Sequence, residues 1–153
     1  MLTAPTHLRD KLLELDNDVG GLPGRRVALL GFRDPNAKRV EDNVRVLRET
    51  PGWTVIDLRD ALAVRLPGAL AQSLAAPKLA LLVEAAVGLP AHAALLIRAL
   101  HDSHDAVRWA DGTQSELPAK RMLYVVAAGA RSVEELPALL QRIDFMTFIE
   151  APR

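Results

Sequence analysis

Val27-Ala28-Leu29-Leu30-Gly31-Phe32-Arg33-Asp34-Pro35-Asn36-Ala37-Lys38-Arg39 is the stretch whose reading decides the fold. From Arg25 to Leu30 the segment ends in an unbroken apolar run rather than an alternating one, which is the pattern of a parallel strand buried on both faces. The run ends in Gly31, and Phe32 to Arg39 follow as a loop. From Val40 to Arg48 the apolar residues Val40, Val44 and Leu47 then recur at helical spacing, with charge on the other face. Strand, turn and helix in this order make the first half of a β-α-β unit.

The same alternation extends in both directions. Upstream, Leu8, Leu12 and Leu15 share one face of a helix predicted over residues 7–15, followed by a turn-rich connector from Asp16 to Gly24. Downstream, Pro51-Gly52 ends the helix and Trp53 to Leu58 supplies a β-branched and aromatic strand. Leu62, Leu66, Leu70 and Leu74 predict a helix over 60–75, kinked or split at Pro67. Lys78 to Val83 is a third strand, and Pro90 opens a helix with Ala94, Ile97 and Leu100 facing inward. The Asp111-Gly112 pair within Val107–Thr113 signals a short hairpin. Met122 to Ala127 is a fourth buried strand. Ser132 and Glu135 have capping-box spacing for a helix running to about Gln141, and Ile143 to Ile149 is a last strand. The expectation is one α/β domain over 1–153, a three-layer α/β/α sandwich with a mainly parallel, P-loop NTPase-like sheet. Residues 1–24 form its N-terminal helix and connector.

A chain of 153 residues buries roughly 70% of its extended surface, enough for its own core. Lys+Arg and Asp+Glu are both 19, so no global attraction to nucleic acid or to a membrane surface is expected. With no cysteine, thiolate metal sites and a Cys nucleophile are excluded. The N-terminus lacks the basic-then-apolar order of a secretory signal, and the apolar stretches fall short of the roughly 20 residues of a spanning helix. A cytoplasmic protein is expected. The wealth of Ala, Leu and Arg suggests a bacterial source of high genomic GC.

The turn after the first strand lies where a phosphate-binding loop would stand. In G-x-x-x-x-G-K-[ST] the glycines let backbone N–H groups converge on phosphates, the lysine reaches the β/γ oxygens and the hydroxyl binds Mg²⁺. With Gly31 as the first glycine, the second is Asn36, the lysine position is Ala37 and the hydroxyl position is Lys38. Asp34 adds a negative charge beside a triphosphate, and Pro35 removes one donor. Such a loop keeps the scaffold of a nucleotide site without the means to hydrolyse. Arg33, Lys38 and Arg39 are either solvated loop charges or contacts to a phosphate of some kind.

From Val27 onward the order of motifs resembles the large subdomain of Clp-type AAA+ ATPases, a resemblance shared with torsin-like proteins. Leu79-Ala80-Leu81-Leu82-Val83-Glu84 stands where that family has its Walker B strand ending in Asp-Glu. Val107–Thr113 is similar to the hairpin that follows, and Leu123 to Gly129 to the sensor-1 strand. Leu140-Gln141-Arg142-Ile143-Asp144-Phe145 resembles the segment that carries the arginine finger. The resemblance implies that Val83 replaces the Mg²⁺-linked Asp, that Glu84 is the remnant of the water-polarising residue, and that Gly129 lacks the polar sensor. The chain given has no helical lid after Arg153. Arg142 would be a trans arginine finger, a device that accelerates turnover by about 10³ to 10⁵. Its other reading is a surface pair with Asp144 or Glu135.

The implied function is a non-hydrolysing AAA+-like pseudo-ATPase without a cofactor, acting by protein–protein interaction on a partner ATPase or on itself. Two alternatives stay open: a nucleotide-dependent hydrolase using Glu84 and the basic loop residues, and a homo-oligomeric scaffold. His101-Asp102-Ser103-His104-Asp105 has metal-like composition, but no third ligand is evident and a solvated helix end is expected. Ser73 and Ser115 lack a nucleophile-elbow context. Trp53 is expected in the core, whereas Trp109 in its hairpin is either core or an interface anchor.

Overall fold

The computed structural model describes residues 6–59 and 66–150. In chain order the elements are α1 (His7–Val19), β1 (Arg25–Arg33), α2 (Ala37–Arg48), β2 (Trp53–Asp57), α3 (Leu66–Ser73) and β3 (Lys78–Glu84). After them come α4 (Ala91–His101), β4 (Ala106–Arg108), β5 (Gln114–Glu116), β6 (Arg121–Ala128) and β7 (Phe145–Glu150). Five strands form one sheet in the order β2-β3-β6-β1-β7, every neighbouring pair parallel, and β4-β5 is a separate antiparallel hairpin.

Helices cover both faces of the sheet, which is why β1, β3 and β6 read as continuous apolar runs. On one face Ala28, Leu30, Phe32, Leu82 and Val126 meet Leu8 and Leu12 of α1 and Val44 and Leu47 of α2. On the other, Leu29, Leu81, Leu123 and Val125 meet Leu70, Leu96, Ile97 and Leu100 together with the hairpin residues Val107 and Trp109. Burying a leucine or valine at such positions contributes about 1.5–3 kcal/mol each. The chain leaves β1 on the face of α2 and leaves β6 on the opposite face, where Leu136 and Leu140 pack. Connections that diverge from adjacent strands open a crevice at the C-terminal ends, the usual ligand position in doubly wound sheets.

Several expected boundaries shift for reasons of packing. α1 continues through Asp16 to Val19 because the Asp16 carboxylate is held from outside: it accepts from the Tyr124 hydroxyl and from Lys78 Nζ at 2.8 Å. Burial, with Asp16 beside it, pushes the Tyr124 phenol above the usual tyrosine range. In α4 the fully buried small residue is Ala93 rather than Ala94. The helix expected from Ser132 is replaced by two 3-10 turns, Val133–Glu135 and Leu140–Arg142, separated by Pro137, and Ser132 caps neither with its side chain. Glu135 instead accepts from the Arg131 backbone N–H at 2.6 Å and pairs with its guanidinium at 3.2 Å.

Of its two readings Trp109 takes the core one, while Trp53, expected in the core, packs against it only half-buried. Trp109 is 4% exposed and donates from Nε1 to Ser115 Oγ at 2.8 Å, whereas Trp53 is half-buried with its ring 5.2 Å from that of Tyr124. Residues 60–65 of the expected 60–75 helix, Leu62 among them, lie outside the described residues; Leu70 and Leu74 are buried as the spacing implied.

Candidate functional site

The C-terminal ends of β1, β3 and β6 converge, and with them most of the residues singled out from sequence. Phe32 and Glu84 are both register partners of Ala128. The Gly129 N–H donates to the Phe32 carbonyl at 2.7 Å and the Ala85 N–H to the Ala128 carbonyl at 2.9 Å, closing the crevice floor. Glu84 lies against Gly129: a Cβ there would stand 2.9 Å from Glu84 Oε1, and the φ of +90° disfavours any side chain. The polar side chain of a sensor therefore has no room at this position while Glu84 keeps its place.

Gly31 is not a loop glycine. β1 runs on through Arg33, pairing Gly31 with Ala127 on one side and Phe148 on the other. A Cβ at Gly31 would collide with Phe148 Cδ1 and lie 3.0 Å from the Ala130 carbonyl oxygen, so the residue is a close-approach site inside the sheet. The expected eight-residue loop shrinks to Asp34-Pro35-Asn36, because α2 already starts at Ala37.

That short turn is closed on itself. Asn36 caps α2, its Oδ1 accepting from the Arg39 N–H at 3.1 Å. Asp34 Oδ1 accepts from the Asn36 N–H at 2.9 Å and from Arg39 Nη2 at 2.8 Å, while Arg39 Nε takes the second carboxylate oxygen. The Asp34 side chain is fully covered, and the Arg39 guanidinium holds its carboxyl below the usual carboxylate range. Lys38 points to solvent and pairs with Asp42 at 3.0 Å. The chain's own carboxylate thus takes the place at the start of α2 that a phosphate would need, and two of the three basic loop residues are committed to acids.

Beside Glu84 a cavity of about 310 Å³ lies between Leu58, Arg59, Val83 and the turn Val87–Pro90, with Val87 83% exposed at its rim. Its cation was not singled out from sequence. Arg59 grips Asp57 through Nε and Nη2 at 3.0 and 2.9 Å and reaches Glu41 at 2.7 Å. Asp57 is buried, which disfavours its charge, yet the hydrogen bonds from Arg59 hold it below the usual carboxylate range. An Asp-x-Arg at a strand end was the available signal; its partner Glu41, on another element, was not legible.

Arg142 lies elsewhere. It sits in the 3-10 turn before β7, exposed, its carbonyl accepting from His101 Nε2 at 3.1 Å. Neither surface pair expected for it forms: Glu135 is taken by Arg131, and Asp144 forms no ion pair among the described residues. β7 begins level with Ala28, five residues before the end of β1, so the strand that Arg142 precedes starts about 17 Å from the Asp34 turn along the strand direction. It cannot act on the crevice of its own chain. α4 ends at His101, whose Nδ1 pairs with Asp102 at 3.0 Å, so His101 and Asp105 share no helical face, and the described residues hold no metal-binding cluster. Ser73 donates to the Leu70 carbonyl and Ser115 accepts from Trp109, so both hydroxyls serve local structure.

The two acid–arginine pairs predict an acid limb in stability. Asp34 and Asp57 have folded-state pKa values below those of the unfolded chain, so their stabilisation is fully present above about pH 4 and is lost as pH falls through the folded values. Urea midpoints measured from pH 7 to pH 2 should fall below pH 4, and Asp57→Asn should flatten part of that fall. An unchanged slope in this variant would remove Asp57 from the account.

No protein-family model matches this chain, and no curated protein matches it in sequence.

Proposed function

We propose that this chain is a non-hydrolysing, AAA+-like domain that works by protein–protein contact, offering Arg142 to a partner ATPase. The observation that carries the reading is the three-residue turn Asp34-Pro35-Asn36, where a carboxylate occupies the start of α2 and Arg39 is locked onto it. A triphosphate brought there would face that carboxylate without a glycine cradle, a P-loop lysine or a metal-binding hydroxyl. Two further features support it. The strands bearing Gly31, Glu84 and Gly129 end side by side, the arrangement that the resemblance to Clp-type AAA+ subdomains requires. Arg142 is exposed at the far edge of the sheet, where its side chain is free to meet a partner.

Isothermal titration with Mg-ATP and Mg-ADP tests the first half, and no saturable heat is expected. Micromolar binding that disappears in Lys38→Ala would overturn it and bring forward hydrolysis through Glu84. The second half is read in the turnover of an AAA+ ATPase that binds this chain. Arg142→Ala should abolish any stimulation, by a factor of about 10³ or more if the side chain is a finger, without weakening the complex. Stimulation that survives in the variant would rule the finger out.

A further inference from the structure

At the N-terminal edge of the sheet, away from the crevice, two arginines stand side by side. Arg25 of β1 and Arg121 of β6 are register partners, so both side chains leave the same face, the one lined further along by Val27, Leu29, Leu123 and Val125. Arg121 is 7% exposed, the most buried cation among the described residues. Its Nη1 donates to the Ala76 carbonyl, while Nε and Nη2 are enclosed and have no partner among the described residues. Arg25 donates from Nη2 to the Leu117 carbonyl at 3.1 Å, and its Nε is likewise buried without a partner among the described residues.

The two open nitrogens of Arg121 form one edge of the guanidinium. Elsewhere in this protein that same Nε/Nη2 edge is given to a carboxylate: Arg39 gives it to Asp34 and Arg59 gives it to Asp57. Arg121, more deeply buried than either, offers it to no acid among the described residues. A buried guanidinium without a counter-charge is costly, and its planar fork matches a two-oxygen acceptor. Arg25, the register neighbour of Arg121, also lines a cavity of about 290 Å³ near the hairpin. Asp105 and Glu116 line the same cavity and set a limit on how much negative charge it accepts.

The geometry points to an oxyanion site here: a carboxylate or phosphate group of a small ligand takes the Nε/Nη2 edge of Arg121, with Arg25 Nε as an additional donor. The site is independent of the Asp34 turn and of Arg142, so its failure leaves the reading above untouched.

Thermal unfolding and calorimetry with inorganic phosphate, sulfate and succinate, each against chloride at matched ionic strength, test it. A saturable rise in Tm is expected with at least one oxyanion. Phosphate or sulfate alone would identify a phosphoryl-type ligand, and succinate alone a carboxylate one. Arg121→Lys keeps a cation of similar length but removes the fork, and affinity should fall by about 10-fold or more; Arg25→Gln should give a smaller loss. Arg121→Met provides the same readout if the lysine variant does not fold. The proposal is overturned if no oxyanion stabilises beyond chloride, or if the stabilisation persists in the folded Arg121 variants.

Discussion

Trp109→Ala is expected to lower stability by about 3–5 kcal/mol, a fall in Tm of about 6–20 °C for a chain of this size. The indole is 4% exposed within the core built by α4, β3 and β6, and its ring meets that of His92 edge-on at 6.3 Å. Truncation leaves a cavity too large for the hairpin to collapse into and strips Ser115 of the donor at its hydroxyl. An interface anchor behaves differently: its removal weakens a complex and leaves the isolated protein intact. Thermal unfolding of the purified variant separates the two, and a Tm within a degree or two of the parent would return Trp109 to the interface. Trp53→Ala, at a half-buried position, should cost less.

Gly31→Val should cost about 3 kcal/mol, some 6–12 °C in Tm, without any change in nucleotide binding. The new Cβ would collide with the Phe148 ring of β7 and press on the Ala130 carbonyl, and the backbone on both sides is tied into the sheet. Relief requires Phe148 to leave its position and β7 to shift. A glycine in a phosphate loop would give the opposite pattern, with stability nearly kept and anion binding lost. Urea unfolding of Gly31→Val beside titration of both proteins with Mg-ATP decides between them; a stable variant would return Gly31 to a loop.

The two substitutions mark where sequence reading stops. The unbroken apolar runs of β1, β3 and β6 identify a parallel sheet covered on both faces, because only burial on both sides tolerates them. Leu8, Leu12, Val44 and Leu47 were legible as inner faces for the same reason: the periodicity of a helix is local. Gly31 and Trp109 were not. Whether a glycine after an apolar run opens a loop or lets a neighbouring strand approach depends on Phe148, more than a hundred residues later. Whether a hairpin tryptophan points outward depends on α4 beneath it.

The candidate site divides in the same way. Sequence alone determined that the first β-α turn lacks the groups of a working phosphate loop, since residue identity suffices for that. Only the tertiary structure decided that Asp34 and Arg39 close the turn, that Arg59 is bound to Glu41 as well as Asp57, and that Arg142 stands at the opposite edge of the sheet. It also placed Arg25 beside Arg121 with an open guanidinium edge between strands almost a hundred residues apart. The physical reason is one of range: propensity and periodicity act over a few residues, whereas ion pairing, close approach and desolvation depend on neighbours that folding brings together.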